Sequence, residues 1–130
     1  MIEQTELVVT KWHYYEPVII AGKEEKISQI ISLDVMKKRA PTKKGIACKF
    51  TCKFFTEADT ILEYIGEDSY VIDFEEVIDR NELLKMIRNS YSKFKEKFDL
   101  RKMGTALQNR SLKALDENSI DVDAILPLLI

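Results

Sequence analysis

Apolar and polar positions alternate most regularly between Lys44 and Phe74. Ile46, Cys48, Phe50, Cys52 and Phe54 are interleaved with Ala47, Lys49, Thr51 and Lys53, the period of two expected of a strand with one buried face. The short polar stretch Thr56-Glu57-Ala58-Asp59-Thr60 follows, then a second strand-like run from Ile61 through Phe74. The pattern predicts one long β-hairpin. With Thr56 facing Thr60, Lys53 falls opposite Glu63, Lys49 opposite Glu67, Phe54 opposite Leu62 and Cys52 opposite Tyr64. That register sets base beside acid on one face and apolar beside apolar on the other, and its one-residue slips lose both. Gly66-Glu67-Asp68-Ser69 interrupts the second arm, but Tyr70, Ile72 and Phe74 resume the parity of Leu62 and Tyr64. The arm therefore reads as one long strand kinked at the glycine, with a hairpin there as the competing reading.

Upstream, Leu7 to Tyr15 is rich in β-branched and aromatic residues and predicts a first strand. Pro17 argues for an edge position, Val18 to Ala21 for an extended continuation, and Gly22-Lys23-Glu24-Glu25 for a turn. Lys26 to Lys38 predicts the second strand, with Ile27, Ile31, Leu33 and Val35 sharing one parity. Downstream, Asp79-Arg80-Asn81-Glu82 has the spacing of a capping box. Leu84, Ile87, Tyr91, Phe94 and Phe98 follow at steps of three and four, the stripe of an amphipathic helix that packs on its own sheet. Gly104 reads as its terminator. Thr105 to Leu115 predicts a shorter helix, and Ile120 to Ile130 is almost wholly apolar and must dock on its own subunit, a second copy or a partner. The expected fold is α+β: a four-stranded antiparallel meander sheet, then a long amphipathic helix and a shorter helix, in a single domain over 1–130.

Composition narrows the function mostly by exclusion. Charged residues make up 32% of the chain, but the net charge is only −2, so there is no global attraction to nucleic acid or anionic lipid. No apolar run approaches the ~20 residues of a membrane span, and the first residues lack the pattern of a secretory signal; a cytoplasmic location is the expectation. Lys37 to Lys44 is a basic loop with no aromatic interleaved, and a solvated hairpin tip is preferred over a nucleic-acid contact. Cys48 and Cys52, on one strand face, would stand roughly 13 Å apart, beyond the about 7 Å a disulfide allows; they are read as reduced core residues. With His13 they offer no standard zinc spacing. That single histidine, among aromatics, reads as a half-buried structural imidazole. Glycine-rich phosphate loops and nucleophile elbows are missing. No cofactor, metal or catalytic residue is indicated, and an enzyme is not expected.

The order of elements now resembles a known family. Tyr64-Ile65-Gly66-Glu67-Asp68-Ser69-Tyr70-Val71-Ile72 looks like the last strand of the SecB family of protein-export chaperones and its SecB-like relatives. Arg80 to Leu100 sits where that family's long first helix sits, and Ile125-Leu126-Pro127 looks like its aliphatic-proline element. The better-known members are markedly acidic, so a divergent relative is implied. The resemblance implies assembly into dimers or tetramers, a role in protein transport or in holding unfolded polypeptide, and exposed apolar grooves. Trp12, Tyr14, Tyr15, Phe50, Phe54, Tyr64 and Tyr70 could supply that surface, although for any one of them a place in the core or a subunit interface is preferred. Two other classes stay open: an α+β module binding nucleic acid through Lys37 to Lys44, and a small ligand-binding domain with a pocket near His13.

Overall fold

The computed structural model describes residues 2–17, 26–39 and 43–129. Val18 to Glu25 and Ala40 to Thr42, read above as an extended stretch, a turn and part of the basic loop, lie outside the described residues. Among those described, the elements are β1 (Ile2–Gln4), β2 (Val8–Tyr14), β3 (Ser28–Arg39), β4 (Lys44–Phe55), β5 (Thr60–Ile72), α1 (Arg80–Arg101) and α2 (Val122–Ile125), with 3-10 turns at Glu117–Ser119 and Leu126–Leu129.

The hairpin forms in the expected register: Cys52 pairs with Tyr64, Lys53 with Glu63, Phe54 with Leu62 and Lys49 with Glu67. An irregularity after Phe54 shifts the last pair to Phe55 and Thr60. There is no hairpin at Gly66; β5 runs unbroken through it. β3, β4 and β5 are the antiparallel meander. The first strand joins at the far side, so β1 and β2 both lie along the free edge of β5. Two irregularities make this edge possible. Between the Gln4–Tyr70 and Val8–Glu67 pairs, Thr5, Glu6 and Leu7 oppose only Asp68 and Ser69. A second extra residue, Thr10, lies between Val9 and Lys11. Each bulge reverses which parity faces inward, so Leu7 and Val9 pack on the core, and so do Trp12 and Tyr14.

One face of the sheet is covered by α1. Asp79 caps the helix, its side chain accepting from the Glu82 N–H at 2.8 Å. Leu83, Met86, Ile87, Tyr91, Phe94 and Phe98 turn inward, a stripe broader than the sequence spacing suggested. Against them lie Ile46, Cys48, Phe50, Cys52 and Phe54 of β4 and Leu62, Tyr64, Tyr70 and Ile72 of β5, all buried. Tyr64 stacks on Phe94 with ring centroids 4.1 Å apart, and Phe54 on Phe98 at 5.5 Å. Burying each such ring contributes about 1.5–3 kcal/mol. Gly104, at φ 77°, turns the chain away past the helix end.

Thr105 to Leu115 does not form the shorter helix expected of it. Turns run to about Asn109, and chain without regular secondary structure follows to Asp116. Leu107 and Leu112 are both buried, but five residues apart they could not share one helix face. The shorter helix is α2, four residues inside the apolar C-terminal stretch. That stretch docks on its own subunit, where Val122 and Leu129 are buried.

Candidate polypeptide-binding groove

β3 is an edge strand: among the described residues it pairs with β4 and with no other strand. Alternate residues of such a strand turn N–H and C=O groups away from the sheet. One end of that edge is clasped by the segment returning from α1. The Gln29 amide donates to Ser111 O at 3.1 Å and accepts from Lys113 N at 2.9 Å. Lys113 Nζ donates to Gln29 O at 3.2 Å, and the Tyr91 hydroxyl donates to Lys113 O. The chain then turns at Glu117–Ser119, where Asp116 accepts from Asn118 N at 3.1 Å, and enters α2, capped by Asp121.

A groove of about 480 Å³ is left between β3 and this returning chain. Its volume falls within the range of about 300–1,000 Å³ typical of ligand clefts. Ile31, Leu33 and Phe50 line it from the sheet, Tyr91 from α1, and Leu115, Ile120 and Ile125 from the returning chain. Ser32, Lys113, Asp116 and Asp121 supply polar groups. Burial raises the Tyr91 hydroxyl to about 12, so it stays a neutral donor at ordinary pH. The arrangement suits apolar side chains of an extended segment and the main-chain groups beside them.

The residues proposed from sequence divide into two groups. Phe50, Phe54, Tyr64 and Tyr70 are core: each is at most 3% exposed, with the Tyr64 and Tyr70 hydroxyls donating to the carbonyls of Phe94 and Met86. In this subunit only Phe50 reaches the groove. Trp12, Tyr14 and Tyr15 lie at the opposite edge of the sheet. Trp12 is half-buried, edge-on to Tyr64 and under the Arg101 guanidinium, 5.8 Å from its ring centroid. Tyr14 donates to Glu16 at 2.9 Å and accepts from Ala106 N at 2.8 Å; desolvation raises its pKa. Tyr15 is exposed. Sequence reasoning missed Leu115, Ile120 and Ile125 as groove residues; the apolar 120–130 stretch was the available signal.

His13 is exposed on the open face opposite Glu63, not half-buried. Glu63 is held by Lys11, whose ammonium lowers its pKa. Cys48 and Cys52 are free and buried, and burial pushes both thiols to about 12. Among the described residues no group of three or more His, Cys, Asp or Glu side chains could hold a metal ion, and no helix is long and apolar enough to cross a membrane. The basic loop is shorter than expected: Lys37 and Lys38 lie near the end of β3 and Lys44 opens β4, with Lys38 reaching Glu67 at 2.6 Å, Lys43 reaching Asp73 at 3.5 Å, and Lys44 donating to Glu76 O at 3.2 Å.

No protein-family description matches the chain, and no curated protein sequence does. Solved structures do. A SecB-like chaperone of Mycobacterium tuberculosis, in complex with a ChAD peptide from the HigA1 antitoxin, superposes with a TM-score of 0.56 at 11% identity, covering 89% of this chain and 91% of that one. The chain has a SecB-like fold. A protein of unknown function from Streptococcus agalactiae also matches, at a TM-score of 0.46 and 11% identity, over 89% of this chain and 97% of that one. The likeness to the M. tuberculosis chaperone, at 11% identity, is one of fold, and a fold does not by itself carry a function.

Proposed function

We propose that this chain is a non-enzymatic, chaperone-like binder of unfolded or partly folded polypeptide, and that the groove beside β3 is where the client lies. The observation that carries this reading is a groove of apolar and polar lining that runs along a strand edge pairing, among the described residues, with β4 alone. Strand edges supply sequence-independent main-chain hydrogen bonds, and an apolar wall supplies affinity without demanding one particular side chain. The peptide held by the SecB-like chaperone of M. tuberculosis supports polypeptide as the ligand class. On this reading the protein is a single cytoplasmic domain over 1–130 that works as a homo-oligomer, a dimer or tetramer. Val8, Ile30, Leu100 and Met103 are exposed apolar side chains that a second copy could cover. Tyr15, with the exposed parts of Trp12 and Tyr14, extends the apolar surface at the opposite edge. A nucleic-acid role is disfavoured because Lys38, Lys43 and Lys44 already have partners within the chain.

The test is suppression of aggregation of an unrelated, chemically unfolded protein, with Ile120→Glu as the groove variant. Ile120 is only partly buried, so the charge is tolerated by the fold while blocking the groove. The native protein should hold the client soluble and Ile120→Glu should lose most of that effect at unchanged far-ultraviolet circular dichroism. Equal holding by both would remove the groove from the mechanism; no holding by either would remove the function.

A further inference from the structure

Among the described residues, one buried side-chain oxygen is without a hydrogen-bond partner: Asp68 Oδ1. Asp68 is fully buried on the covered face of β5, opposite Cys48. Its other oxygen accepts from Gln4 Nε2 at 2.6 Å and from Ser90 Oγ at 2.8 Å, and Lys93 Nζ stands 3.8 Å from it. The Gln4 amide also reaches Tyr70 Oη at 3.0 Å, which lies 2.6 Å from Ser90 Oγ and donates to Met86 O. β5 and α1 therefore build a polar slot inside an apolar interface, and the side chain entering it from β1 is that of Gln4.

We propose that β1 is a displaceable strap, and that the slot beneath it is a docking point for an extended polypeptide strand bearing an arginine where Gln4 stands. β1 pairs with β5 through three residues, from Ile2–Ile72 to Gln4–Tyr70, and Thr5 just beyond it donates its N–H and its hydroxyl to Ser69 O at 2.9 and 3.0 Å. The bulge at Thr5 to Leu7 separates it from β2. Leu7 is buried and packs on Gly66, its Cδ2 3.1 Å from where a Cβ there would stand. It pins the chain at that point, so β1 can lift while β2 stays paired. Lifting bares the main-chain edge of β5 from Ser69 to Ile72, which an incoming strand can pair with. The amide of Gln4 is shared between Asp68 and Tyr70 and leaves one carboxylate oxygen unfilled. A guanidinium presents parallel N–H groups to both oxygens. The charged group on this point is Lys93, partly exposed and also donating to Thr5 O at 3.4 Å; one turn further along α1, Lys97 pairs with Glu6 at 3.7 Å. This edge lies across the sheet from the β3 groove, and the inference stands whether or not that groove takes a client.

The probe is a fluorescein-labelled peptide repeating residues 1–7, made with arginine, glutamine or alanine at its fourth position. It is titrated into full-length Gln4→Ala protein, whose own strap is loosened, and read by anisotropy with amide hydrogen exchange at Ser69 to Ile72. The arginine peptide should bind about tenfold more tightly than the alanine peptide, the range of one hydrogen bond to a charged group. Exchange at Val71 should quicken in Gln4→Ala and be slowed again by that peptide. Asp68→Asn should abolish the preference for arginine; if Asp68→Asn does not fold, Ser90→Ala, which strips one donor from the Asp68 carboxylate, should raise that preference. Ile120→Glu should leave peptide binding unchanged, which separates this site from the groove. Equal affinities for the arginine and alanine peptides, no binding of any of the three, or unaltered exchange at Ser69 to Ile72 in Gln4→Ala would overturn the proposal.

Discussion

Gly66 of β5 lies directly against Phe94 of α1: a Cβ on Gly66 would stand 2.8 Å from Phe94 Cδ1. The missing side chain makes room for the Phe94 ring, which can then stack flat on Tyr64, at an interplanar angle of 7°. Gly66→Ala should destabilise by about 1–3 kcal/mol, the usual cost of overpacking a filled core. Gly66→Val should cost more. Urea unfolding should show a lower midpoint at an unchanged slope; an unaltered midpoint would mean that the ring moves aside without cost.

Stability should fall in alkali from about pH 9. The Cys48 and Cys52 thiols rise from an ordinary value of 9.0 to about 12, because burial disfavours the thiolate. Tyr91 rises from 10.0 to about 12 for the same reason. A raised folded-state value means that the unfolded chain releases its protons first. The stabilisation is therefore whole below pH 9 and is lost progressively up to about pH 12. Each thiol contributes a slope of about 1.4 kcal/mol per pH unit within that window. The double variant Cys48→Ala, Cys52→Ala should show a shallower fall between pH 9 and 10 than the native chain; identical slopes would remove the thiols as the cause.

Trp12 is the only tryptophan and sits across the sheet from the β3 groove, so it reports where a client lands. A client seated beside β3 should leave its emission unchanged while the Ile120→Glu variant loses binding. A client seated on Trp12, Tyr14 and Tyr15 would shift the emission and be indifferent to Ile120→Glu.

Replacing Lys43 and Lys44 by Ala should cost about 1–2 kcal/mol, since the exposed Lys43–Asp73 pair contributes at most about 1 and the part-buried Lys44 loses one hydrogen bond to Glu76 O. The native chain should show no salt-sensitive binding to a mixed-sequence oligonucleotide. Binding that weakens with salt and disappears in the double variant would revive the basic loop as a nucleic-acid contact.

Local periodicity carried the hairpin, its register, the long helix and its cap. Lys53 beside Glu63 and Phe54 beside Leu62 are consequences of alternation, and the Leu84–Phe98 stripe repeats within single turns. The hydrogen bonds and contacts that enforce these patterns join residues near in sequence, so they are visible there. The edge of β5 was not. Bulges at Thr5 to Leu7 and at Thr10 reverse the inward parity twice, and only the partner strand shows that Leu7, Val9, Trp12 and Tyr14 all face the core. Asp68 stood in the polar interruption of the second arm, yet its burial follows from Ser90 on α1 and Gln4 on β1 closing over it. The groove pairs Ile31 and Leu33 with Leu115 and Ile120, more than eighty residues further along. Alternation along a chain says which side of a strand is greasy; what lies against that side depends on contacts between distant segments, and these exist only once the chain has folded.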